Sequence, residues 1–286
     1  MPVAVQMAVA GTINGKIYVV GGVTATTTVT NNQVYDPIAN TWSTAAPIPA
    51  PTFLAAAAVY NKKLYVFGGN TGGNVRTNLV WVYNPSTDMW KSLAPMPSFR
   101  ASEAAVVYNK MIYVIGGING SGCTSDRCTL VQSYSPATNT WSEPAPLLVG
   151  VSELSAGLIG STIVAAGGYT DCCADTGEVE SYNPLTNSWS SAAPEPTPTN
   201  ESCTGVVGGH LFLLGGSNGS SAISTSQVFN LTANQWKTRA SMPNPSADPA
   251  GAVYKGQIYC FGGGDNNNPP PFFGGTVYDY VQIYQP

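Results

Sequence analysis

Charge is what this sequence has least of. Only 9% of its 286 residues are Asp, Glu, Lys or Arg, against about 25% in ordinary soluble domains, so long salt-bridged helices are excluded. Positive charge is the scarcer kind, with 11 Lys and Arg against 15 Asp and Glu and a net charge of −4. A nucleic-acid partner requires a basic stripe to neutralise phosphates, and none is present. Histidine is represented by His210 alone, and the six cysteines include no CxxC pair, so a structural zinc site is not expected. Long apolar runs are also missing: no window approaches the ~20 residues of a membrane span. The opening stretch, residues 1–11, has neither the basic start nor the apolar core of a signal peptide. If the protein is secreted, its signal lies outside these residues.

What fills the chain instead is Gly, Pro, Ser, Thr and Asn, arranged periodically. A Gly-Gly pair follows a short β-branched or aromatic run six times, starting at Gly21, Gly68, Gly116, Gly167, Gly215 and Gly262, with spacings of 47, 48, 51, 48 and 47. Each pair is followed by a polar loop and a run ending in Tyr35, Tyr83, Tyr134, Tyr182, Phe229 or Tyr284. Five units continue through a tight turn to a tryptophan: Trp42, Trp90, Trp141, Trp189 and Trp236. A Pro-rich joint such as Pro47-Ile48-Pro49 then leads into an Ala/Val run and the next Gly-Gly.

Such a period calls for a repeat architecture before any local motif is weighed. In the third unit the strand candidates are Ser102–Tyr108, Met111–Ile115, Thr129–Tyr134 and Thr140–Ser142, separated by turn formers. Several lack strict alternation, as in Ile112–Ile115, so both sheet faces require burial. Twisted four-stranded sheets packed around an axis as blades provide it.

The Gly-Gly, Tyr and Trp pattern resembles the kelch family over essentially the whole chain. The resemblance implies an all-β, six-bladed propeller, with the Ala/Val strand innermost and the Trp strand outermost. The blades fall roughly at 1–48, 49–96, 97–146, 147–195, 196–243 and 244–286. The repeated Gly, Tyr and Trp residues are then assigned to blade shape and packing, as is Trp81. The sixth unit stops at Pro286 before a Trp strand, so the last blade is expected to have three strands. Its third, Thr276–Tyr284, becomes an edge open to strand donation.

Chain direction places the loops after Gly-Gly and the starts of the inner strands on one face, where variable loops on a rigid scaffold would bind ligands. Matching positions at the inner-strand start are Val5, Thr52, Arg100, Val151, Thr199 and Ser246. Two residues on lie Met7, Leu54, Ser102, Glu153, Glu201 and Asp248. Arg100 and Ser102 resemble the ligand-holding Arg and Ser of peptide-binding kelch adaptors, although one blade alone carries the Arg. Glu153, Glu201 and Asp248 occupy equivalent places in consecutive units, and Arg100 is expected across the mouth from them. Phe272 and Phe273, in the long loop of the last unit, are a further contact candidate.

A protein, peptide or glycan partner on this face is therefore expected, and a binding module is favoured over an enzyme. The alternatives are a sugar-active protein and a structural surface or filament protein. Six-bladed sialic acid mutarotases are similar in pattern, and Arg100 with Glu103, Glu153 or Glu201 would be the acid/base pair. Galactose oxidase and the plant specifier proteins are similar in architecture, but their metal sites need histidine on the ligand face. His210 lies at a strand-one to strand-two turn on the far face, which also argues against a Ser/His/Asp triad. No cofactor is expected.

The cysteines bear on location. Cys123 and Cys128 bracket a four-residue gap and are expected to form a disulfide. Cys172 or Cys173 is a looser candidate partner for Cys203, and Cys260, within the apolar run Ile258–Phe261, reads as a buried thiol. Asn-x-Ser/Thr sequons begin at Asn119, Asn200, Asn218 and Asn230. Together these favour an extracellular or cell-surface location, with a cytoplasmic one left open.

Overall fold

The computed structural model describes residues 1–73, 75–119, 129–170, 174–265 and 275–286. Six antiparallel blade sheets surround one axis, and each is traversed in chain order from the inner strand outward. Blade one comprises Val9–Ile13, Lys16–Val20, Asn32–Asp36 and Thr41–Thr44, and blade two Ala56–Tyr60, Lys63–Phe67, Val80–Asn84 and Met89–Ser92. Blade three contains Ala104–Tyr108, Met111–Ile115, Val131–Ser135 and Thr140–Ser142. Blade four contains Ser155–Ile159, Thr162–Ala166, Val179–Asn183 and Ser188–Ser191. Blade five follows with Cys203–Val207, His210–Leu214, Ser226–Asn230 and Gln235–Arg239. Blade six has three strands, Ala250–Tyr254, Gln257–Phe261 and Val281–Tyr284.

The last of these is shorter than the 276–284 expected from sequence. The Tyr278 amide donates to the Gly263 carbonyl and the Tyr280 carbonyl accepts from Gly262. Those residues fasten the Gly-Gly loop instead of extending the sheet.

Each Gly-Gly joins its blade to the next. The second glycine donates its N–H to a carbonyl at the following inner-strand start: Gly22 to Thr52, Gly69 to Arg100, Gly117 to Val151, Gly168 to Thr199, Gly216 to Ser246, and Gly263 back to Val5, all at 2.7–3.0 Å. At Gly167 the backbone sits at φ +66°, and a Cβ there would lie 2.4 Å from the Thr199 carbonyl oxygen. Left-handed backbone and contact with the neighbouring chain both require glycine.

The repeated polar and aromatic residues lock the outer rim. Tyr35, Tyr83, Tyr134 and Tyr182 donate their hydroxyls to Asn40, Asp88, Asn139 and Asn187 in the turn that follows. The four turn residues hold φ near +50°, where Asn and Asp are tolerated. The indole N–H groups of Trp90, Trp141, Trp189 and Trp236 reach back to the carbonyls of Ala46, Ala94, Ala145 and Ala193 in the preceding blade. The amides of the same four alanines donate to Asp88, Asn139, Asn187 and Asn234. Every such alanine is thus clasped on both sides by the next blade.

A disulfide joins Cys203, on the inner strand of blade five, to Cys260, on the second strand of blade six, with a Cα–Cα distance of 5.8 Å. This corrects two expectations, the free Cys260 thiol and the pairing of Cys203 with Cys172 or Cys173. Both partners face the buried gap between adjacent blades, a neighbourhood that 57 residues of separation conceal in the sequence. Cys123, Cys128, Cys172 and Cys173 lie outside the described residues. No described helix is long and apolar enough to cross a membrane.

Candidate functional site

On the face carrying the Gly-Gly loops, the chain closes a second ring about the axis. The Leu54 amide donates to the Met7 carbonyl, Ser102 to Leu54, Glu153 to Ser102, Glu201 to Glu153, Asp248 to Glu201, and Met7 to Asp248, at 2.7–3.1 Å. All six residues hold φ between 52° and 61°, a conformation that costs a non-glycine residue roughly 1–2 kcal/mol. Since every blade adopts it, the conformation belongs to the closure of the ring and not to one specialised residue. The bonds run through backbone alone, so any side chain can project from the ring.

Those side chains line a central cavity of about 150 Å³. Met7, Ala8, Leu54 and Ala55 form one wall, and Glu153, Glu201 and Asp248 face them with Ser102 and Glu103 between. The three carboxylates expected to converge do so. Burial, then the charges of Glu201 and Asp175, raises Glu153 well above the ordinary carboxylate range, and burial, then Asp248 and Asp175, does so for Glu201. Burial and the charge of Glu153 do the same for Asp248, and a side-chain hydrogen bond joins it to Glu201. One oxygen each of Glu153 and Glu201 is buried without a hydrogen-bond partner, while the Ser102 side chain lies against the Glu153 carboxylate. Such groups are costly to leave unpaired.

Glu103 also borders the cavity, but its carboxylate turns between blades, where Oε1 would lie 2.4 Å from a Cβ on Gly68. Desolvation pushes it up to about 7, against the opposing pull of Arg100.

Arg100 itself requires a correction. It is fully buried, and its guanidinium donates to the carbonyls of Gly116 and Leu130 and to Gln132 Oε1. The side chain braces blade three internally and is absent from the cavity wall. The resemblance to adaptor arginines misled because an equivalent backbone position does not fix side-chain direction. An acid/base pair using Arg100 at the mouth is lost with it. His210 begins the second strand of blade five, with Nδ1 against the Gly208 carbonyl, on the opposite face. Phe272 and Phe273 lie outside the described residues.

The sequence reading missed a second tier beside the acids. Asp175 accepts a hydrogen bond from Asn200 Nδ2, and its charge acts on Glu153, Glu201 and Tyr169. The signal was available, because Asp175 stands in the loop after the fourth Gly-Gly, on the face already singled out. Asn200 is 1% exposed, so a glycan on that sequon would not fit this fold.

With this geometry in hand, the comparisons with known proteins fall into place. Residues 6–194 match the KLHDC2/KLHL20/DRC7 Kelch-repeats domain, and residues 198–243 match the Kelch motif. The chain belongs to the kelch-repeat family. No curated protein matches the kelch chain significantly. Among solved structures, that of YjhT superposes with a TM-score of 0.84 at 19% identity, over 100% of this chain and 96% of the other. At that identity the likeness concerns the propeller fold alone.

Proposed function

We propose that this kelch propeller is an interaction module whose central cavity takes a cationic group on an apolar stem, such as a lysine or arginine side chain of a partner protein. One observation carries the reading: three carboxylates converge in consecutive ring positions, two of them with an unpartnered buried oxygen, opposite a wall of Met7, Leu54 and alanines. A cation supplies the missing charge partner, while the stem packs on the apolar wall. The carbohydrate alternative is less well supported, because no aromatic ring is among the described residues lining the cavity. The Cys203–Cys260 disulfide favours an oxidising compartment, and hence an extracellular setting.

The test is calorimetric titration with short neutral peptides carrying a single Lys or Arg, beside the same peptides with norleucine. Lys or Arg peptides should bind, norleucine peptides should not, and Glu201→Gln should weaken binding about tenfold or more. Affinity should rise with pH: the empty site holds its protons above the ordinary carboxylate range, and a cation must displace them. Affinity independent of charge, of pH and of Glu201 would return these residues to ordinary surface acids.

A further inference from the structure

The face opposite the Gly-Gly loops is built from the hairpin turns that join each inner strand to the second strand of its blade. Five of the seven lysines gather there: Lys16 in blade one, Lys62 and Lys63 in blade two, Lys110 in blade three and Lys255 in blade six. Blade six adjoins blade one in the closed ring, so the four blades are consecutive and the charges form one crescent. The turns of blades four and five, Gly160-Ser161 and Gly208-Gly209, carry no charge. Among the described residues, two acids share this face. Asp36 lies 3.9 Å from Lys16, and Asp88 accepts from the Tyr83 hydroxyl and the Ala46 amide. The other described acids stand in or beside the Gly-Gly loops and the joints, so charge is polarised along the axis.

The fold does not ask for these lysines. Lys62, Lys110 and Lys255 hold φ at 59°, 66° and 47°, the left-handed backbone of a two-residue hairpin turn, where glycine or asparagine is preferred. Other blades have Asn14-Gly15 and Gly208-Gly209 in the same turn. A Cβ is thus carried into a conformation that disfavours it. None of the three lysines has an ion-pair partner in return among the described residues.

Tyrosine accompanies the charge. The inner strand ends in Tyr60, Tyr108 and Tyr254 in blades two, three and six, one or two residues before the left-handed lysine. In the uncharged blades four and five it ends in Ile159 and Val207. All three rings are half-buried, and Lys255 Nζ lies 5.4 Å from the Tyr254 centroid. Unlike Tyr35, Tyr83, Tyr134 and Tyr182, they have no partner for their hydroxyls among the described residues. A larger axial cavity of about 470 Å³ runs between the inner strands and ends at this face, lined there by Thr12, Val59, Val206 and Val253. It gives the crescent a concave centre.

We infer that this face is a binding site for an acidic polysaccharide, a polyuronate in its simplest form. The lysine ammonium groups take the carboxylates of successive sugars. The tyrosines take the apolar C–H faces of the rings, and their unused hydroxyls bond sugar hydroxyls. A crescent spread over four blades fits an elongated chain and not a single small anion. A nucleic acid is disfavoured by the net charge of −4, and an acidic peptide brings charge without a repeated ring face to stack on tyrosine. The aromatic rings that the acid-lined cavity lacks therefore stand on the opposite face, and the inference does not depend on what that cavity binds.

A hexamer of galacturonic acid is the probe, titrated calorimetrically against the whole chain beside its fully methyl-esterified form, hexaglutamate and a single-stranded DNA hexamer. The expected result is saturable binding of the free acid that weakens with salt, with amide-exchange protection at 60–63, 108–111 and 254–257. The ester, the peptide and the DNA should each bind at least about tenfold more weakly. Lys62→Gly combined with Lys110→Gly installs the residue that these turns prefer, so the fold is kept while affinity falls about tenfold. Tyr108→Leu should lower it about two- to tenfold through the lost ring contact. No binding, equal binding of the ester, equal or tighter binding of the peptide or the DNA, or full affinity in the double lysine variant would overturn the proposal.

Discussion

The inner and outer rings of this propeller close by different means. Around the axis, six backbone hydrogen bonds link Met7, Leu54, Ser102, Glu153, Glu201 and Asp248 without a break. At the rim, closure relies on the side chains of Trp and of Asn or Asp acting on an alanine of the preceding blade, and it is complete at four seams. Where backbone does the work, side-chain identity is free, and the inner ring accordingly carries six positions with five residue types. Where side chains do the work, identity must repeat, and closure fails where one strand is missing. The part of the molecule free to specialise is therefore the axis, and the part exposed to failure is the rim beside blade six.

The largest test of this contrast is the Cys203–Cys260 disulfide, which ties blades five and six together where the rim has no clasp. A loop of 57 residues gives a chain-entropy contribution of about 4 kcal/mol. Replacing both cysteines by alanine should lower the melting temperature by on the order of 10 °C, and amide exchange should speed up first in blade six. A uniform change across all blades would mean that the bond does not compensate for the missing clasp.

A smaller and sharper comparison sets two tryptophans side by side. Trp141→Phe deletes a made hydrogen bond, the 3.0 Å contact with the Ala94 carbonyl, and should cost about 1 kcal/mol. Trp42→Phe removes a donor without a partner among the described residues and should cost close to nothing, because both variants keep the ring and its contact with tyrosine. Equal losses in denaturant melts would show that the indoles act through packing alone.

The same distinction explains what could be read in the sequence. Gly-Gly, Tyr and Trp announced the fold and the three-stranded last blade because each performs a side-chain or φ-specific task at least four times over. The inner ring was legible through its register alone: counting from Gly-Gly aligned Glu153, Glu201 and Asp248, but nothing in their identities marked the ring. Arg100 was misassigned because its identity was informative and its direction was not. The Cys203–Cys260 bond was invisible, since neighbouring blades bring together residues that no local spacing relates. Glu195 shows the same limit. It replaces the apolar residue of Ile48, Met96, Leu147 and Met242 in its joint and is buried against Thr199, which it accepts bonds from, with burial pushing it up to about 8.

The smallest expected effect is the one that separates a binding ring from a structural one. If the inner ring closes through backbone, Glu201→Gln leaves its closure intact and removes only a crowded charge. Burial, Asp248 and Asp175 raise the Glu201 carboxyl well above its ordinary value, so the folded protein binds this proton more tightly than the unfolded chain does. Such a group stabilises the fold fully below the unfolded value near 4.5, and that stabilisation is lost as pH rises toward the folded value. The variant should therefore match the parent at pH 4 and exceed it at pH 8 by about 0.5–1 kcal/mol, the usual gain when strain is removed from a site kept for binding. Glu153 and Asp248 titrate with it as one group, so the stability profile should flatten over the whole interval and not at a single midpoint. Thermal melts of both proteins between pH 4 and 8 measure this directly. A variant less stable at pH 8 would show that the Glu201 carboxylate supports the ring through contacts of its own, and the claim that this ring is free to specialise would fail at the residue on which the cavity most depends.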